Sequence, residues 1–231
     1  MNKLFSACAA VCLSALFFSC VTTQGSKVLN VKVVPEEKKT ERFYSSIEVP
    51  SFPAHPALNA LIQKIKNERF AEFDLDSTES HRMGSKMPHS FSMTWEAAEL
   101  SDSLISIKIE TYQYTGGANG INYIDVVNWL PAENKQLFPA DLPAYFGLKY
   151  TQEQWLNLLS RTTREILENK INKKKDASLS EFITEGTKPV ADNFKNITVS
   201  GSKITVWFDK YQAAPGSEGI LSATFNPKDA R

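Results

Sequence analysis

Apolar residues along this chain recur with two different periods, and the places where the period changes lay out the elements. "RFYSSIEVPSFP" carries Phe43, Ile47 and Val49 in a strand-like setting closed by Pro50 and Pro53. In "HPALNALIQKIKNERFAEF", Leu58, Leu61, Ile62 and Ile65 return at helical spacing and Phe70 and Phe73 extend the face. That spacing predicts an amphipathic helix of about four turns. "HSFSMTWEA" then alternates, with Phe91, Met93 and Trp95 on one face and Ser90, Ser92 and Thr94 on the other. "LISIKIETYQY" alternates as well, with Ile105, Ile107 and Ile109 on one face. Ser101-Asp102 lies between the two runs as a turn signal, so they read as an antiparallel hairpin. "INYIDVVNWL" is a third strand, apolar on both faces, which predicts a central strand covered by helix on one side.

Further along, "ENKQLFPADL" reads as a turn and a helix start with Asp141 as N-cap. "TQEQWLNLLSRTTREILENKINKKK" is the clearest helix: Thr151 and Gln154 form a capping box, and Trp155, Leu158, Leu159, Thr162 and Ile166 form its stripe. "SLSEFI" begins a short helix, "NFKNITVSGSKITVWFDKY" turns at Gly201-Ser202, and "GILSATF" is a last strand. The order predicts an α+β fold, an antiparallel sheet with two main amphipathic helices packed on it. Two subdomains are expected, 41–100 and 101–231.

Composition changes the picture mainly at the N-terminus. Residues 1–19 have one Lys, an apolar run and small residues, the layout of a signal peptide. "LFFSC" resembles a bacterial lipobox, which makes Cys20 the lipidation site and 20–40 a lipidated tether; simple secretion and an uncleaved anchor are the alternatives. Within the tether, "VLNVKVV" is either part of that linker or an edge strand. All three cysteines fall at or before Cys20, so the body has no disulfide, thiol nucleophile or cysteine metal site. Loss of Lys3 with the signal leaves 25 basic against 26 acidic residues, a net charge of −1, and no basic excess speaks for nucleic acid. The "NKKK" run at 172–175 is expected to serve a helix C-terminus.

Three motifs in order, "YQYTGGANGINY", "LFPADL" and "ITVWFDKYQAAPGSEG", resemble the bacterial extracytoplasmic family known as domain of unknown function 3298. The preceding "IEVPSFPAHPALNALIQKIKNERF" resembles its usual N-terminal partner, domain of unknown function 4163. Together the resemblance covers about residues 40–226. It implies a cell-envelope recognition module, since RsiV-type anti-sigma factors carry such a region to bind lysozyme, and similar regions accompany peptidoglycan deacetylases as non-catalytic appendages. This chain has Asn119 where the family often has His, and shows no cytoplasmic sigma-binding segment or convincing span. It is therefore not expected to be an anti-sigma factor of that design.

The glycine stretch raises the main chemical question. A phosphate cradle needs glycines that open a helix, and here a strand follows, with no Lys-Ser/Thr after the glycines. Asn119-Gly120 supplies a two-residue type I′ turn, which leaves Gly116 and Gly117 for unusual backbone angles or close approach. The stretch is either a hairpin loop packed on its own domain or a ligand-contacting loop, with Tyr112, Tyr114 and Tyr123 nearby as contact area. The candidate binding residues are Tyr114, Thr115, Gly116, Gly117, Asn119, Gly120, Asp209 and Tyr211. Asp209 and Tyr211 have a capping role as the structural alternative. His81, Met83, Met87, His89 and Met93 have copper-type ligand chemistry, but core and loop use is expected, so no metal or cofactor is assigned. No G-x-S-x-G or H-E-x-x-H is present. The expected function is a non-enzymatic, lipid-anchored envelope module that binds a lysozyme-like protein or a peptidoglycan fragment. A glycan-acting enzyme using Asp125 or Asp209 and a structural envelope lipoprotein are the alternatives.

Overall fold

The computed structural model describes residues 29–230. The expected leader, Cys20 and the first part of the tether lie outside the described residues. In chain order the elements are β1 (Lys32–Val33), β2 (Glu36–Lys39), β3 (Phe43–Ile47), β4 (Pro50–Ser51), α1 (Pro56–Arg82), β5 (His89–Leu100), β6 (Ile105–Tyr114), β7 (Ile121–Leu130) and β8 (Lys135–Gln136). Then come α2 (Leu142–Tyr145), α3 (Gln152–Ile171), α4 (Ala177–Gly186), β9 (Ile197–Ser200), β10 (Lys203–Phe208) and β11 (Leu221–Phe225). The fold is α+β, as the periodicity predicts.

The sheet differs from the expected single antiparallel one. Six strands run in the order β2-β3-β5-β6-β7-β8, three in the order β11-β10-β9, and β1 pairs with β4. β3 and β5 are parallel, because α1 carries the chain back between them. The end of the expected tether is β2, paired antiparallel with β3 from Glu36 opposite Ile47 to Lys39 opposite Tyr44. Residue 100 falls at the end of β5, which pairs with β6 from Ser90 opposite Tyr114 to Leu100 opposite Ile105, so a division there cuts one hairpin.

The buried side chains form two clusters that divide elsewhere. In the first, α1 lays Leu58, Ile62 and Phe73 on the inner face of the large sheet, against Phe43, Phe91, Met93, Ile107 and Val127. Four phenylalanines interlock there: the Phe43 and Phe73 rings meet edge to face with centroids 5.4 Å apart, and Phe70 meets Phe91 the same way at 5.4 Å. α1 runs 27 residues, longer than the apolar repeat alone marks, and ends where Gly84 takes φ +97°. In the second cluster, Trp155, Leu158, Leu159 and Leu167 of α3 and Ile183 of α4 pack on Ile197, Val199, Ile204, Val206 and Ala223 of the small sheet. The Thr151–Gln154 capping box forms, with reciprocal bonds of 3.2 and 2.9 Å. The α3 stripe turns inward at Thr163 and Leu167, with Thr162 and Ile166 only half-buried. α3 stops at Ile171 rather than running through the lysines. Asn172, 3% exposed, donates to Glu168, Asp176 and Ser180 and accepts from the Asp176 N–H, so its side chain forms the corner into α4. Asp141 accepts from the Phe138 N–H at 3.1 Å and closes the turn before α2.

A polar relay joins the two clusters. Ser106 Oγ of β6 donates to Asn128 Oδ1 of β7 at 2.6 Å. Asn128 Nδ2 donates to the Ile197 carbonyl at 2.7 Å, and Ser106 Oγ accepts from the Val199 N–H at 2.9 Å. Both side chains are buried. Asn128→Ala leaves a buried carbonyl and a buried hydroxyl short of partners, which costs about 1–3 kcal/mol. The expected result is a lower urea midpoint with an unchanged slope, measured by circular dichroism.

His89 is buried at the start of β5, with Nδ1 2.8 Å from Ser77 Oγ and Nε2 3.2 Å from Ser85 Oγ. Burial pulls its pKa below the ordinary imidazole value, and the charges of His81 and Arg42 act in the same direction. The unfolded chain therefore takes up this proton first as pH falls. The contribution of His89 is complete above its unfolded pKa of about 6.5 and is lost progressively below it. The fall in melting temperature from about pH 7.5 to about pH 5 is expected to be smaller in His89→Gln than in the parent. Equal falls in calorimetry would remove His89 as the cause.

Candidate functional site

The alternation of β6 decides what the glycine stretch faces. Ile105, Ile107 and Ile109 point to α1, so Tyr112 and Tyr114 point to the opposite face of the sheet. The register then assembles two rows across three strands. Tyr114 lies opposite Ser90, and Ser90 opposite Tyr44; Tyr112 lies opposite Ser92, and Ser92 opposite Ser46. Thr94, opposite Glu110, begins a third row. Tyr44 is 41% exposed, Thr94 is exposed, and the other residues of the two rows are half-buried. The result is a sheet face of tyrosine rings and hydroxyls that leads into the glycine loop. Tyr123 does not join it: it lies on the α1 face, where Gln113 Nε2 donates to its hydroxyl at 3.3 Å.

The loop itself turns differently from the expected way. Gly116 and Gly117 take the positive φ values, +110° and +92°, and neither Asn119 nor Gly120 does. The Asn119-Gly120 type I′ turn is therefore absent, since that turn needs positive φ at both positions. The conformation is held from outside the turn. Tyr114 donates its hydroxyl to the Gly117 carbonyl at 2.9 Å, and Ser80 of α1 donates to the Thr115 carbonyl at 2.5 Å. Gly120 serves close approach instead: a Cβ there would lie 2.3 Å from the Tyr112 ring. Asn119 is exposed at the tip. Beside the loop an open groove of about 440 Å³ runs along α1, lined by Asp76, Glu79, Ser80, Met83, Gly116 and Gly117.

The second predicted segment comes to the same place. β8 pairs only with Trp129 and Leu130, so the first half of β7 has a bare edge rather than a central position. Asp209 covers it, accepting the Ile124 N–H at 2.8 Å, while its other oxygen is 3.5 Å from Lys195 Nζ. Lys210 Nζ donates to the Gly120 carbonyl at 2.9 Å. Tyr211 takes φ +73°, is half-exposed, and lays its ring where a Cβ on Gly216 would be 2.2 Å away. The structure thus brings the two segments together, with Lys210 fastening the loop at Gly120, Asp209 fastening β7 at Ile124, and the Tyr211 ring turned to Gly216.

The candidate acids and metal-type ligands have other occupations. Asp125 receives a forked pair of bonds from Arg69 of α1, at 2.8 and 2.9 Å, and the guanidinium lies 4.8 Å from the Tyr123 centroid. Burial opposes the charge on Arg69, yet the bond and charge of Asp125 raise its pKa above the usual arginine range. Neither Asp125 nor Asp209 lines the groove beside the loop. Met93 is in the core, Met83 and Met87 are exposed, and His89 bonds to serines, so that cluster does not converge. Among the described residues no group of three or more His, Cys, Asp or Glu gathers at metal-binding spacing.

Tyr44 and Ser46 are members of the face that sequence reasoning missed. Their signal was the alternation of "RFYSSIEV" opposite the buried Phe43 and Ile47; the parallel pairing that places them beside Ser90 and Ser92 has no local signal. Gly120→Ala is expected to lower the melting temperature by displacing the Tyr112 ring, at a cost of about 1–3 kcal/mol. In a Tyr112→Ala background the same substitution should cost less; strictly additive effects in the double-mutant cycle would show that the ring contact is not the reason.

Comparison with known proteins agrees with this architecture. Residues 36–122 match the family described as Deacetylase PdaC, and residues 150–226 match the family described as Protein of unknown function (DUF3298). The glycine stretch up to residue 122 thus falls in the first match. No curated protein matches. A crystal structure of a DUF3298 family protein from Pseudomonas aeruginosa PAO1 superposes with a TM-score of 0.57 at 18% identity, covering 85% of this chain and 90% of that one. One from Bacteroides fragilis NCTC 9343 gives 0.59 at 15% identity, covering 88% and 92%. At these identities the likeness establishes the shared fold.

Proposed function

We propose that this chain is a non-enzymatic recognition module of the bacterial cell envelope, lipid-anchored through Cys20, that binds peptidoglycan glycan on the tyrosine and hydroxyl face. The observation that carries this reading is the pairing of exposed Tyr44 with half-buried Ser90 and Tyr114 across three strands, alongside half-buried Ser46, Ser92 and Tyr112. Sugar rings have apolar faces that stack on aromatic rings, and hydroxyl edges that exchange hydrogen bonds with serine and threonine. A sheet face with rings and hydroxyls in register offers both. The family resemblance supports a setting at the cell wall. A non-enzymatic role is supported by Asp125 and Asp209, whose carboxylates are each held by partners within the fold.

The test is co-sedimentation with purified peptidoglycan, run beside a pull-down with lysozyme. Tyr44→Ala with Tyr114→Ala is expected to reduce the retained fraction at least about tenfold while far-ultraviolet circular dichroism stays the same, since two stacking contacts of about 1 kcal/mol or more are lost. Retention by lysozyme alone would move the ligand to a lysozyme-like protein. Release of acetate or soluble sugar from peptidoglycan would replace the reading with an enzyme. For the anchor, Cys20→Ser is expected to move the protein from the membrane to the soluble fraction.

A further inference from the structure

A second open groove lies far along the chain from the tyrosine face, between α3 and the segment after α4. It has a volume of about 630 Å³, and its walls include Ser160, Arg161, Arg164, Glu165, Glu168 and Pro189. The five α3 residues fall at i, i+1, i+4, i+5 and i+8, so they form one stripe of the helix surface. Two of them are arginines, Arg161 exposed and Arg164 in an unusual condition. Arg164 is half-buried, and its guanidinium is held by neutral acceptors only: Thr187 Oγ1 at 3.1 Å, Ser160 Oγ at 3.3 Å and the Thr184 carbonyl at 3.5 Å. Nη1 appears in none of these bonds. Among the described residues neither Arg161 nor Arg164 forms an ion pair, although each has a glutamate four residues on, Glu165 and Glu168. A half-buried guanidinium without a counter-ion is the exception, since desolvated charges are ordinarily paired.

The order of charges along the stripe identifies the chemistry. The two cations lie toward the N-terminus of α3 and the two carboxylates lie one turn further on, about 6 Å along the axis. We infer that this groove binds a short peptide with free ends, its carboxylate on Arg161 and Arg164 and its ammonium on Glu165 and Glu168. An extended dipeptide spans about 7 Å, which matches the separation of the two charge pairs. The planar guanidinium of Arg164, fixed by three bonds, presents its remaining donors to a carboxylate without further ordering. This site is separate from the tyrosine face and stands or falls independently of the glycan reading.

The experiment is titration of the full chain with L-alanyl-L-alanine, followed by ¹⁵N chemical shifts. Saturable shifts in α3 and α4 are expected. N-acetylation of the dipeptide and amidation of its carboxylate should each weaken binding at least about tenfold, as loss of one charged contact implies. Arg161→Gln and Glu165→Gln should do the same with unchanged melting temperature, because both side chains are exposed and hold nothing in the fold. Arg164→Lys should also weaken binding, and Arg164 is not used alone since it ties α3 to Thr187. Absence of saturable shifts, indifference to either blocked end, or equal binding of inorganic phosphate would each overturn the inference.

Discussion

A buried edge strand must find partners for its outward backbone groups, and the assembly of this protein turns on how β9 does so. One edge of β9 pairs with β10. The other edge, with the Ile197 carbonyl and the Val199 N–H, meets no strand and points into the large sheet. Ser106 and Asn128 answer it with side chains, and they bond to each other at the same time. Unpaired backbone groups in that interior would cost as much as the net gain from several ordinary hydrogen bonds. The relay therefore fixes one register between two sheets whose apolar cores are otherwise separate. Glu99 adds an outer contact by accepting the Gly201 N–H at 2.6 Å.

That register has consequences at the opposite end of β7. With β9 fixed, the turn after β10 arrives beside the bare half of β7, and Asp209 takes the Ile124 N–H while Lys210 takes the Gly120 carbonyl. Two stretches some ninety residues apart in sequence thereby become one structure. The glycine loop is held on three sides: Ser80 from α1, Tyr114 from its own strand, and Lys210 from the small sheet. Its shape is imposed by neighbours, which is why the local turn signal at Asn119-Gly120 did not govern it. Backbone freedom was spent at Gly116 and Gly117, and Gly120 made room for a ring.

Part of the candidate site was legible: the glycines marked 114–120, Asp209 and Tyr211 stood in the third family-like motif, and the two segments meet in space, though through Lys210, which was not singled out. Tyr112 and Tyr114 were also legible as tyrosines that flank the glycine loop. Tyr123 was not separable from them by sequence, because its strand is apolar on both faces and the alternation does not say which face is buried by helix. Asp125 is a charge among Tyr123, Val127 and Trp129 on its face of β7, and its partner Arg69 lies on a helix packed from far upstream. The Arg161 and Arg164 groove had no sequence signal at all: arginines four residues before glutamates read as ordinary solvated pairs.

The sequence by itself determined the elements. Period-2 and period-3.6 apolar spacing set the long strands and both main helices, and the Thr151–Gln154 capping box set where α3 starts, because these depend on neighbours within a few residues. It also determined that cysteine chemistry is absent from the body. Only the tertiary structure decided the parallel placement of β3 beside β5, the division of the core into two clusters, and which tyrosines share a face. Those outcomes depend on pairings between distant strands and on buried polar groups finding partners across sheets, and no local pattern encodes which distant partner a strand edge will meet.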